Sequence, residues 1–116
     1  MEALPPSQAA ATALRLVEGL WDAREQSNLR IAIPHIVVIC TRADRWEEAA
    51  VLDGLLGDSP PPLLPQHANR FQQARLAIDA NLQAEADHLR SRSATWSQAT
   101  AVEYLQATLQ SISDAT

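Results

Sequence analysis

Ala10, Leu14, Val17 and Trp21 follow one another at spacings of four, three and four, with Ala13, Leu16 and Leu20 alongside. Glu18, Asp22 and Glu25 fall mainly on the other side. Such a stripe is one face of a 3.6-residue period, and it predicts an amphipathic helix over residues 7–27. Leu4-Pro5-Pro6 reads as an extended lead-in to it. Ser7 is then the expected N-cap, its hydroxyl accepting from the first free backbone amides.

The next segment, Ile31 through Cys40, is rich in β-branched residues and fits a buried strand as well as a helix. A lone strand in a helical chain would leave its amides without partners. Beyond it Ile39, Ala43, Trp46 and Ala50 keep helical spacing, and Pro34 suits the first turn of a helix. The reading adopted is one helix over residues 34–56. The competing reading starts a shorter helix at Asp44, with Glu47 completing an acidic capping box.

Residues 57–65 break the pattern, with Gly57 at a left-handed C′ position and prolines holding a stiff connector. A third helix is predicted over 66–91, with Phe71, Ala74, Ile78, Leu82 and Leu89 as its stripe. A fourth spans 94–113, where Val102, Leu105, Leu109 and Ile112 form a narrow seam of coiled-coil type. The fold expected is all-α: a small antiparallel bundle of about four helices in a single domain covering residues 1–116, with a proline-rich connector.

Composition supports this. Apolar residues make up 47% of the 116, so a core can form. Only three glycines occur, and Asp53-Gly54 is the one hairpin-type dipeptide, which disfavours an all-β architecture. All nine basic residues are Arg, a bias that fits codon usage in a GC-rich genome, and the net charge of −5 lacks the basic footprint of a duplex binder. The single cysteine, Cys40, rules out an internal disulfide and reads as a buried inert thiol. No secretory signal and no membrane span is recognisable, so a cytoplasmic setting is expected.

Candidate chemistry is sparse. Glu85 and His88 stand three apart on a predicted helix, the spacing used in di-iron bundles. A full site needs two such pairs and two further carboxylates, which only a symmetric dimer recruiting Glu18, Glu48 or Glu103 would supply. Glu85 and His88 are the metal candidates, and a solvated helix face is their default reading. Ile36 through Asp44 resembles the strand and guanine-reading Thr/Asn-Lys-x-Asp motif of P-loop GTPases, which would give Asp44 the guanine edge. Arg42 stands in place of the lysine, and a chain without lysine has no phosphate-binding loop of that family. His35 and His67 lie at or beside segment starts and read as surface or capping residues. No nucleophile elbow or Cys–base pair is present, so no catalytic residue and no cofactor are assigned. The short turn at Ser91-Arg92-Ser93 fits a helix-turn-helix, but the helix after it carries Glu103 and Asp114 and no Arg.

Protein partners remain. Trp21 and Trp46 continue apolar stripes and are expected in the core. Trp96, among small polar residues at the start of the fourth helix, is either an interface anchor or covered by that helix. The function expected is non-catalytic: a protein–protein interaction or assembly subunit, a structural component of a cellular or viral complex. Trp96, Val102, Leu105, Leu109 and Ile112 would meet the partner, another protein or a second copy. Leu109 and Ile112 in particular would lie uncovered in the monomer. A DNA-associated regulator is the first alternative and a dimeric bundle metalloprotein the second; neither a nucleic acid nor a membrane is the expected partner.

Overall fold

A computed structural model describes residues 5–24, 26–57 and 61–114 of the chain. Among these the architecture is all-α and contains six helices and no strand: α1 (Pro6–Asp22), α2 (Gln26–Arg42), α3 (Trp46–Gly54), α4 (Pro65–Leu82), α5 (Ala84–Arg92) and α6 (Gln98–Asp114). Leu4 of the lead-in and residues 58–60 of the connector lie outside the described residues. The all-helical expectation holds; the count of four does not, because two of the predicted helices are each broken in two.

The first break corrects the second predicted helix. α2 starts at Gln26, ahead of the predicted start, so residues 31–40 are helical and Pro34 lies inside the helix, buried. The helix ends at Arg42 in a Schellman turn: Asp44 takes a left-handed φ of 59° and donates to the Thr41 carbonyl, while Arg45 donates to that of Cys40 at 2.8 Å. Aspartate tolerates this conformation better than most residues. α3 then begins at Trp46 with no side-chain cap, so the acidic capping box does not form. The strand that the GTPase resemblance requires is replaced by helix, and Asp44 sits in the turn.

The second break falls at Gln83, which adopts φ 53° and separates α4 from α5. No glycine or proline marks it. The first predicted helix also ends early, at Asp22, with Arg24 left-handed at φ 58°. It opens on Pro6 at its first position, with no side-chain cap from Ser7. α6 starts at Gln98 rather than 94, where Ser97 Oγ accepts from the Thr100 amide at 3.2 Å as an N-cap.

α2 packs against α1, α3 and α4; α1 lies along α6, and α3 also lies on α4 and α5. The longest helix has 18 residues, a length of roughly 27 Å. The extents of 36 × 35 × 29 Å are correspondingly near-equal. One cluster of buried apolar side chains joins the helices, with Val17, Ile36, Val37, Cys40, Val51, Leu52, Ile78, Leu105 and Leu109 fully enclosed. Phe71, Ala74, Ile78 and Leu89 bury their predicted stripe, whereas Leu16 on α1 is exposed. No helix among the described residues is long and apolar enough to cross a membrane.

Candidate interaction groove

The loop between α5 and α6 is tied down from both sides. Ser93 is buried, and its hydroxyl donates to the Val51 carbonyl of α3 at 2.8 Å. The Trp96 amide in turn donates to the Ser93 carbonyl at 3.1 Å. This places the Trp96 indole beside Tyr104 of α6, ring centroids 5.1 Å apart and tilted by 55°. Trp96 is thus half-buried, in the loop before α6 rather than inside it.

One flank of the groove beside Trp96 is built from α2, the end of α3 and α6. Leu29, Ile33, Val102 and Leu105 are already buried and make its apolar floor. Leu55 and Trp96 form half-buried walls, and Arg30, Ser97, Gln98 and Ala101 complete the rim. The groove is open to solvent and holds about 390 Å³. Arg30 Nη2 donates to the Leu56 carbonyl at 3.0 Å, fastening α2 to the end of α3 beside it. Pockets of this size and apolar character receive small ligands or single partner side chains.

The predicted partner residues therefore separate into two groups. Trp96, Val102 and Leu105 share the groove. Leu109 and Ile112 do not: they are 0% and 2% exposed within the chain itself. The expectation that they would lie uncovered in the monomer is corrected, because α1 packs along α6 and supplies the covering apolar face. Glu85 and His88 are both exposed on α5, and among the described residues no group of three or more His, Cys, Asp or Glu side chains is placed to hold a metal.

Two clusters escaped the sequence reading. Asp53 of α3, with a side chain 2% exposed, accepts from Arg90 Nε at 2.7 Å and Arg75 Nε at 3.3 Å. Arg90 Nη1 continues to Asp79 at 2.7 Å and Asp87 at 3.4 Å. Desolvation opposes the charge on Arg90, but its hydrogen bonds to Asp79 and Asp53 outweigh that and raise its pKa. Second, His35 of α2 and His67 of α4 meet edge to face with centroids 4.9 Å apart. Neither pairing has a local signal, since each joins separate helices.

Tyr104 and Cys40 both carry shifted acid–base behaviour. Burial, reinforced by Glu48, pushes the Cys40 thiol up to about 12. Burial and the Glu48 carboxylate likewise push Tyr104 up to about 12, against the opposing pull of Arg92. A thiol held protonated is a poor nucleophile, in keeping with its enclosed position. Comparisons with known protein families, with curated proteins and with solved structures find no match.

Proposed function

We propose that this chain is a non-catalytic interaction or assembly subunit whose protein partner inserts an apolar side chain into the groove beside Trp96. The observation that carries this reading is a half-buried tryptophan on the wall of an open apolar groove whose floor is already packed. Tryptophan anchors are enriched where interfaces are fully desolvated at the centre and polar at the rim. Here Ser97, Gln98 and Arg30 furnish such a rim.

The test places a photo-crosslinking amino acid at Gln98 on the rim, with the exposed Gln72 of α4 as control, in the native host. A discrete adduct from position 98, absent from position 72 and abolished when Ala101→Trp fills the groove, is the expected result. Light scattering on the purified adduct then tells a second copy from a different protein. An adduct that survives Ala101→Trp, or none at position 98, overturns the reading.

A further inference from the structure

We propose that the crevice between α2 and α4 is a binding site for a small phosphate monoester with a flat apolar body, its phosphate held by Arg70, His35 and His67 and its body resting toward Trp46. The site lies apart from the Trp96 groove and does not depend on it.

Two adjoining hollows, of about 460 and 180 Å³, share Val38, Arg42 and Arg70. The larger is walled by Val38, Trp46, Ala74 and Ala77, with Thr41 and Gln73 as polar groups. The smaller holds Pro34, Ile39, His35 and His67. Together they join a hollow containing the Trp46 ring to one containing both imidazoles, with Arg42 and Arg70 lining each.

The charge distribution selects an anion. The chain carries fourteen Asp and Glu against nine Arg, yet no carboxylate lines either hollow among the described residues. Arg70 is exposed and has no carboxylate partner among the described residues. Arg42 lines both hollows as well. A guanidinium and two imidazoles approaching from two helices suit the several oxygens and near-double charge of a phosphate monoester better than the two in-plane oxygens of a carboxylate. Partial burial, then repulsion from the neighbouring His67, lowers the His35 pKa. A bound dianion reverses that repulsion.

The experiment uses the full chain and three probes: phenyl phosphate, inorganic phosphate and benzyl alcohol. Phenyl phosphate is expected to move the NMR signals of the Trp46 indole and of both imidazoles together. Inorganic phosphate should move the imidazoles alone, and benzyl alcohol should leave them in place. Arg70→Gln should weaken phenyl phosphate binding about tenfold or more, the scale of one charge-assisted hydrogen bond, with an unchanged melting temperature. Arg15→Gln, an exposed change on α1, should leave binding as it was. Equal affinity in Arg70→Gln, or imidazole shifts equally large with benzyl alcohol, overturns the site. A single-stranded oligonucleotide that displaces phenyl phosphate at lower concentration, with steep salt dependence, overturns the small-ligand reading and gives the surface to nucleic acid instead.

Discussion

Arg90 of α5 donates its Nε–H to Asp53 Oδ2 of α3 across 2.7 Å, and the carboxylate it meets is almost wholly withdrawn from solvent. Arg75 approaches the same oxygen at 3.3 Å from α4, so one buried charge ties three helices together. The cluster is closed: Arg90 also binds Asp79, and no buried side-chain nitrogen or oxygen among the described residues lacks a partner.

Removing one side of such a pair strands the other. Arg90→Met leaves Asp53 with only the longer contact to Arg75, and should cost about 3–5 kcal/mol in urea unfolding. Arg75→Met removes a contact whose cation is a third exposed, and should cost no more than about 1 kcal/mol. The double change Arg90→Met with Asp53→Leu should recover part of the first loss, since no buried carboxylate is left uncompensated and Arg75 keeps its access to solvent. A double variant less stable than Arg90→Met alone would show that the carboxylate has other essential work.

Gly54 sits next to Asp53 and meets α5 backbone to backbone. A Cβ at this position would overlap the carbonyl oxygen of Arg90, which belongs to rigid helix rather than to a movable side-chain end. Gly54→Ala should therefore force α3 and α5 apart and destabilise by about 1–3 kcal/mol or more. Gly19 is the internal control: it is helical, exposed, and has nothing near its absent side chain. Gly19→Ala should stabilise by about 0.5–1 kcal/mol. Thermal melts of the two variants should move in opposite directions.

These two neighbours show why the sequence reading reached the class of fold but not its joints. The stripes of Val17, Phe71, Ile78 and Leu105 announce buried helix faces through local spacing alone. The break at Gln83 carries no such mark. α5 turns there, and its Ala86 and Leu89 are buried while Arg90 reaches Asp53, so the tertiary contact overrides helix propensity. Asp53-Gly54 reads as a hairpin dipeptide but serves as an ion-pair acceptor and a close helix crossing. Asp44 differs, because its capacity for a left-handed turn is visible in the sequence and was outweighed by the continuing helical period. For the groove, Trp96 was legible as an unplaced aromatic; its companions Leu29 and Ile33 were not, since the predicted second helix began after them.

The α6 seam gives a third prediction. Leu109 is fully buried between α6 and the rest of the chain, so Leu109→Ala should cost about 2–5 kcal/mol, independent of protein concentration. Leu109→Ser with Ile112→Ser should unfold the chain. If instead the variant melts like the wild type and only a concentration-dependent species disappears, Leu109 belongs to an interface.

Cys40, Tyr104 and His35 each contribute to how stability follows pH. At the alkaline end the native state holds the Cys40 thiol protonated up to about 12 against an ordinary 9.0, and Tyr104 up to about 12 against 10.0. The unfolded chain releases both protons earlier and so binds fewer across that window. Stability must then fall as pH rises from 9 toward 12. At the acid end the sign comes from a base: His35 is lowered from 6.5, so the unfolded state binds more protons just below neutrality and stability falls as pH drops through that value. Melting temperature should therefore plateau between these windows and decline on both sides. Tyr104→Phe should flatten the decline above pH 10, Cys40→Ala the part that begins near 9, and His35→Gln the acid shoulder alone. Differential scanning calorimetry across the range reads all three: His35→Gln acts on the acid side, while Cys40→Ala also removes the thiolate charge that helps to raise Tyr104. An alkaline limb of unchanged slope in Tyr104→Phe would mean that its hydroxyl is as well solvated in the native protein as in the unfolded chain, and that the ring beside Trp96 is less enclosed than its packing implies.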